Sequence, residues 1–560
     1  MKPEIPQTQY AVQLVGPDKL RLNEAKEVHK AGAHQILARV EAVGLCFSDL
    51  KLLHQFDSHA RKSEIRSGIS PDVLRRIPSY KPGKLPTVPG HETVCRVVAV
   101  GQGVTGVRLG GRYLVQTDYR WLKTDGSNAA FGYNFEGALQ EYVLMDQRVI
   151  TDPESGQSML IPAGDDRSAS AICLVEPWAC VEDSYVTHER RSIKPGGRLL
   201  VVAEAGRKIA GLAESFSPDG PPAAITCVCR DEEQCRAIAD MRISQTCADD
   251  VRSLTDAAFD DIVYFGADAA TIELLDGKLA NRGIINIVTG GAKIGRAVEI
   301  SIGRTHYGMT RWTGTTSAGA AEGYRHIPAT GEIRDGEKVI VVGAGGPMGQ
   351  MHVIRNVCSG AKNVSVTGTD FDEPRLETLR EKAGRLAEAN GVELELLNPK
   401  KTPPAGNFSY HAIMAPVPAL VAAAIAASSE GALINIFAGI AAAVKHAIDL
   451  DTYIARRCFM FGTSGSVLRD MKIVLDKLQA GAIDTNASVD AVSGMAGAAD
   501  GIAAVENRTL AGKIIVYPPL HEMPLIPLSR MHEHYPSVAA KLAHGMWTAA
   551  AERELLKVAR

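Results

Sequence analysis

Three short stretches of this chain recur in the same order at a nearly constant offset. GRLLVVAEAG (197–206) is echoed by EKVIVVGAGG (337–346), GIINIVTGG (283–291) by ALINIFAGI (432–440), and RWTGTTS (311–317) by MFGTSGS (460–466), each pair about 140 to 150 residues apart. Chance likeness among Val- and Ile-rich strands does not keep one spacing over three separate elements. Around these echoes, apolar strand-length runs alternate with helix-like stretches, the pattern of βαβ units on a parallel sheet. The pattern predicts an α/β chain with two tandem doubly wound parallel-sheet units.

The remainder of the 560 residues needs a third core, because one hydrophobic core does not extend over such a length. From about residue 10 to 150, short β-rich runs such as ILARVEAVGLC and TVCRVVAVGQGV alternate with Gly/Pro turns and predict a small β-domain. Segment 54–88 interrupts it with a polar, basic stretch read as a solvated loop with a short helix. Lys plus Arg number 61 against 64 for Asp plus Glu, so the chain has no basic field for a nucleic-acid partner. No apolar run is long enough for a membrane span, and the N-terminal MKPEIPQTQYAVQL lacks the apolar core of a signal peptide. Ten scattered cysteines without framework spacing fit a reduced compartment, and a cytoplasmic location is expected.

The second α/β unit carries a dinucleotide fingerprint. VIVV leads directly into Gly343-Ala-Gly345-Gly346-Pro347-Met348-Gly349, and a helix-like segment follows. Gly343 permits the tight turn, Gly345 and Gly346 let backbone approach a pyrophosphate, and Gly349 lets the helix pack closely. The helix N-terminus adds amide donors and partial positive charge. The next strand ends at Asp370, where a carboxylate accepts from both ribose hydroxyls and repels a 2′-phosphate, so NAD is expected over NADP. Arg375 keeps NADP open. In the first unit Ala203 replaces the turn glycine and Glu204 brings a negative charge, so that unit is expected to be a degenerate copy.

Three motifs precede it: Gly44-Leu-Cys46-Phe-Ser48-Asp49, Pro89-Gly90-His91-Glu92 and Leu174-Val-Glu176-Pro177. Each alone has an ordinary structural explanation. In a chain that also carries a dinucleotide loop, Cys46, His91 and Glu176 make a three-ligand catalytic zinc set with one position left for substrate. A metal there lowers the pKa of an alcohol so that hydride can leave its carbon. Cys173 and Cys180 flank Glu176, and a thiolate third ligand stays open as the alternative.

GxCxSD, GHE, EP and a glycine loop in this order resemble the zinc-containing medium-chain alcohol/polyol dehydrogenase superfamily. GAGGPMGQMHV and THYGMTRWTGTT (305–316) are similar to its L-sorbose-1-phosphate reductase branch. The resemblance implies a GroES-like β-domain plus Rossmann-like units, with Cys46, His91 and Glu176 as zinc ligands. It implies that Ser48 takes the substrate proton and that Asp49 orients His91, with Glu92 as a supporting group or alternate ligand; His54 is a weaker candidate for extending the relay. Many relatives carry a four-cysteine structural zinc lobe, but no cysteine lies between Cys95 and Cys173, so one catalytic zinc and no structural zinc are expected.

The expected domains are a zinc-binding catalytic domain at 1–190, a degenerate Rossmann-like unit at 191–330 and an NAD-binding unit at 331–460. Residues 461–518 are expected to return to the catalytic domain, and 519–560 form a tail ending in a helix, for packing or subunit contact. The implied reaction is hydride transfer between a secondary alcohol of a polyol, sugar or sugar phosphate and NAD(P), in a homo-oligomer. Seven cations of segment 54–88 (Arg61, Lys62, Arg66, Arg75, Arg76, Lys81 and Lys84) are candidates for an anionic substrate group. Two other classes fit the same motifs: an NAD-retaining epimerase or lyase using transient oxidation, and a non-catalytic scaffold.

Overall fold

The computed structural model describes residues 5–559. The chain forms two compact units. One contains the residues up to Glu182 and those from Ser466 onward, and the other is Asp183–Gly465.

The first unit is built on an eight-stranded sheet whose centre is the strand Gln35–Gly44. Glu92–Val100 and Tyr142–Asp146 both pair with it antiparallel. The returning strand Lys513–Val516 joins it too, with Ile515 opposite Gly44 and Val516 opposite Val43. Ala491, Ile514 and Val516 thereby enter the same apolar core as Ile36, Val40 and Val97. Segment 54–88 is more tightly built than a solvated loop. It contains two 3-10 turns, Phe56–Ser58 and Ala60–Lys62, and one helical turn, Pro71–Leu74, which Ser70 caps. Lys62 is fully buried and donates to the carbonyls of Lys81, Gly83 and Leu85 at 2.7–2.8 Å, which knots the segment onto itself. The terminal helix Ala549–Val558 packs in this unit as well. Its Glu552 accepts from the amides of Ala169 and Ser170 at 2.6 and 2.8 Å, and from the Tyr517 hydroxyl at 2.9 Å.

The second unit holds two six-stranded parallel sheets, whose strands are numbered here in chain order. The first comprises β1 (Arg198–Ala203), β2 (Ala224–Val228), β3 (Ser244–Cys247), β4 (Phe259–Phe265), β5 (Leu279–Val288) and β6 (Arg311–Thr315). The second comprises β7 (Lys338–Val342), β8 (Ser365–Thr369), β9 (Glu393–Leu397), β10 (Phe408–Ile413), β11 (Ser428–Ile436) and β12 (Phe459–Phe461). The orders are β3-β2-β1-β4-β5-β6 and β9-β8-β7-β10-β11-β12, so each sequence echo falls on matching strands of two Rossmann-like sheets.

The two sheets pack reciprocally. Short strands Val298–Ile300 and His446–Ile448 pair antiparallel between them. The helix Ile302–Tyr307 packs on β12, and the helix Leu450–Ala455 packs on β6. Ile285, Ile287 and Trp312 share one core with Ile434, Ile436 and Met460. A Cβ at Gly303 would sit 2.0 Å from the Ala441 carbonyl, so the absence of a side chain there permits the contact.

They differ after the first strand. β7 runs through the glycine loop into the helix Pro347–Val357, whereas only a 3-10 turn, Ala213–Ser215, separates β1 from β2. Where the second sheet has its loop, Glu204 accepts from the amides of Ala267 and Asp268 at 3.0 and 2.9 Å and from the Tyr264 hydroxyl at 2.5 Å. The first sheet therefore lacks the helix N-terminus as well as the turn glycine. Among the described residues no helix is long and apolar enough to cross a membrane.

Candidate metal centre and dinucleotide loop

Cys46 stands at the N-cap of the helix Phe47–Gln55, and its amide donates to Asp49 Oδ2 at 3.0 Å. The other oxygen of Asp49 accepts from the Gly90 amide at 3.1 Å and from His91 Nδ1 at 3.2 Å. One buried carboxylate thus ties the CxSD motif to the GHE motif. It fixes the proton on Nδ1 and leaves the other ring nitrogen for a ligand or the Cys46 thiol. Burial disfavours charge on His91, but Asp49 outweighs it and raises the imidazole well above its usual pKa. Burial likewise works against the Asp49 carboxylate, and His91 more than offsets it, holding that pKa low.

Ligand atoms of Cys46, His91 and Glu92 all lie within 4.8 Å of one another, the one such metal-competent group among the described residues. Its carboxylate is that of Glu92, expected as a supporting group or alternate ligand, and not that of Glu176. The cause is backbone register: Gly44 is the strand partner of Glu92, and a Cβ on Gly44 would lie 2.2 Å from Glu92 Oε2. The glycine of GLCFSD leaves room for that carboxylate to fold toward Cys46. Oε1 of Glu92 accepts from Lys513 Nζ at 2.5 Å, and Lys513 also donates to the Leu45 carbonyl at 2.7 Å. Oε2 is buried without a hydrogen-bond partner. An orphaned carboxylate oxygen beside a thiol and an imidazole fits a divalent cation, and this mixed donor set suits zinc.

Glu176 is buried outside that group, on the helix Val175–Val186. Burial pushes its carboxyl up to about 7, with His91 opposing and Glu92 adding to the rise. Cys173 donates to the Ser170 carbonyl at 3.2 Å. Ser48 accepts a 3.6 Å hydrogen bond from the Cys46 thiol, which places its hydroxyl against the group. His54 is on the surface, 2.5 Å from Asp18 and 3.4 Å from Glu506.

Of the basic segment, Arg61 is the cation that faces this centre. It pairs with Asp118 at 2.7 Å and lies 5.5 Å from the Tyr133 ring centroid, within the fields of Glu176 and Cys180. Arg66 and Arg75 pair with surface acids instead. His59 and Tyr133 were not singled out by sequence; their rings lie 5.1 Å apart, and burial with Arg61 and Lys51 nearby lowers His59 to about 4. Lys513 was also missed, although a lone lysine opening the apolar run KIIVYPP was a usable signal.

In the second unit, Gly343 has φ +85°, and a Cβ at Gly349 would lie 2.2 Å from the Gly343 carbonyl. Gly346 caps the helix Pro347–Val357, and a Cβ there would meet nothing within 4 Å, so the approach over this helix end is open. Pro347 and Met348 form its first turn. Asp370 follows β8 and accepts from the amides of Gly345 at 2.9 Å and Asp372 at 3.1 Å. The turn, bare helix end and flanking acid fit a dinucleotide.

Residues 32–154 match the alcohol dehydrogenase GroES-like domain. YggP of Escherichia coli (strain K12), an uncharacterized protein, is 25% identical over 357 residues, 58% of this chain and 78% of its own. Mannitol-1-phosphate 5-dehydrogenase of Aliivibrio fischeri is 23% identical over 303 residues, 49% of this chain and 70% of its own. The solved structure of 2R,3R-butanediol dehydrogenase from Bacillus subtilis is 14% identical, covers 91% of this chain and 100% of its own, and superposes with a TM-score of 0.49.

The chain therefore combines a GroES-like domain of the alcohol dehydrogenase kind with α/β parallel sheets in the strand order of a dinucleotide-binding fold. Sorbitol dehydrogenase of Halalkalibacterium halodurans is 26% identical over 182 residues, 30% of this chain and 42% of its own, so the likeness to alcohol and polyol dehydrogenases is strongest in the GroES-like part.

Proposed function

We propose that this protein is a zinc-dependent dehydrogenase that passes hydride between a secondary alcohol of a polyol, sugar or sugar phosphate and NAD, in preference to NADP. The observation that carries it is the group of half-buried Cys46 with buried His91 and Glu92, in which Glu92 Oε2 is left without a partner. Cys46, His91 and Glu92 would hold the ion, with Glu176 as a second carboxylate beside it. Zinc held there supplies Lewis-acid polarisation of the substrate hydroxyl.

The chain's own residues do the rest. Asp49 orients His91, and Lys513 anchors one oxygen of Glu92 so that the other faces the group. Ser48 takes the hydroxyl proton of the substrate. The amides at the start of the helix Pro347–Val357 hold the cofactor pyrophosphate, and Asp370 turns to the adenosine ribose, where it disfavours a 2′-phosphate. Arg61 holds an anionic substituent of the substrate, as a sugar phosphate would present. The phosphorylated substrate in the name of the Aliivibrio fischeri relative supports that choice.

The test is metal analysis with absorbance at the NADH band over a panel of polyols and sugar phosphates. Wild type should carry one zinc per chain and reduce NAD with at least one of them. Cys46→Ser should lose both zinc and turnover while binding NAD as before; turnover without stoichiometric metal would refute the proposal.

A further inference from the structure

The first α/β sheet has lost its dinucleotide loop but carries four cysteines that the dehydrogenase reaction does not use. Cys227 lies on β2 one residue before its end, Cys229 follows the strand, Cys235 is on the helix Glu232–Ala239, and Cys247 ends β3. Their side chains neighbour one another in a chain: the Cys247 and Cys227 thiols are hydrogen-bonded, Cys229 interacts with Cys227, and Cys235 interacts with Cys229. Cys227 and Cys247 are register partners on neighbouring parallel strands, with sulfurs 3.2 Å apart. Neighbouring strands lie about 4.8 Å apart. That is within the roughly 4.4–6.8 Å between Cα atoms that a disulfide spans. β3 is the edge strand, and all four of its residues are exposed, so solvent species reach Cys247 while Cys227 stays buried.

Two chemistries suit clustered thiols. A tetrahedral zinc site holds its four sulfurs about 3.8 Å apart along every edge. Here no three of the four sulfurs fall within 4.8 Å of one another, so the chain of thiols is open rather than compact. Joining one pair, by contrast, needs only a short approach of two sulfurs already in contact.

We propose that Cys227 and Cys247 form a reversible disulfide in response to hydroperoxides, independent of the metal centre. The exposed Cys247 sulfur attacks the peroxide O–O bond, which breaks, releasing one water and leaving a sulfenic acid on Cys247. The Cys227 sulfur then attacks that of Cys247. The S–S bond forms, the S–O bond breaks, and the departing hydroxide takes the Cys227 proton as a second water. Two thiols are oxidised to one disulfide, and hydrogen peroxide is reduced to two waters. The product staples the edge strand β3 to β2 across the helix Glu232–Ala239.

The experiment uses the full chain, pre-reduced and treated with one equivalent of hydrogen peroxide. Thiols are then counted in denaturant and cysteine peptides mapped by mass spectrometry. The ten free thiols should fall to eight, with a linked peptide joining Cys227 to Cys247 that dithiothreitol cleaves. Cys247→Ser should yield no linked peptide containing Cys227 and should keep the wild-type metal content. Separately alkylated Cys227 and Cys247, or a Cys229–Cys235 link in their place, would overturn the proposal. So would loss of one metal ion per chain in Cys247→Ser, which would make the cluster a metal site.

Discussion

Glu92 and Glu176 are two buried acids near one imidazole whose surroundings differ. Glu92 has Lys513 on one oxygen and nothing on the other, whereas Glu176 sits outside the compact group. Glu92→Gln should therefore reduce zinc content to below about a tenth of wild type, because an amide is a much poorer ligand for the cation than a carboxylate. Glu176→Gln should keep most of the metal and lose turnover; inductively coupled plasma analysis of both variants decides between them. His59 makes a separate prediction about acid. Its folded pKa of about 4 lies below the usual 6.5, so the unfolded chain takes up the proton first as pH falls. Stability from this residue is complete above pH 6.5 and is lost progressively toward pH 4, by at most about 3 kcal/mol before solvent screening. His59→Asn preserves an acceptor for the Arg61 amide. Urea denaturation across that pH range should show a shallower loss in the variant.

Among the elements, the terminal helix bears on the metal centre through Glu552. Its carboxylate caps the first turn of the helix Ala169–Cys173, and the next helix, Val175–Val186, carries Glu176. Glu552→Ala leaves two buried amides and the Tyr517 hydroxyl without their acceptor, a loss of about 3 kcal/mol that thermal melting would register as a fall of several degrees. This link was illegible in the sequence, since Glu552 lies more than 380 residues from Ala169 and amphipathic spacing says only that a helix packs somewhere. Lys513 escaped for the same reason. The glycine loop was legible because turn, phosphate approach and helix packing are all local demands, satisfied within seven consecutive residues. The β-strand echoes were legible because each is one contiguous apolar run. The place of Glu92 beside Cys46 and His91, expected only as a supporting group or alternate ligand, was less so, because it depends on Gly44 lying opposite Glu92 across two strands.

At the scale of the whole molecule, two sheets of one strand order differ in equipment. Only the second has the turn glycine, the open helix end and the acid after β8, while Glu204 fills the corresponding place in the first. Calorimetric titration should accordingly give one NAD per chain; a stoichiometry of two would mean that the first sheet still binds. The reciprocal packing of these sheets explains how such inequality is tolerated. A symmetric pair of identical subunits uses the same patch twice, so every substitution lands on both sides at once. Here the halves are encoded separately and tethered covalently, so their contact persists at any dilution. One half can do without a glycine loop, while the other keeps the neighbour it was shaped to lean on.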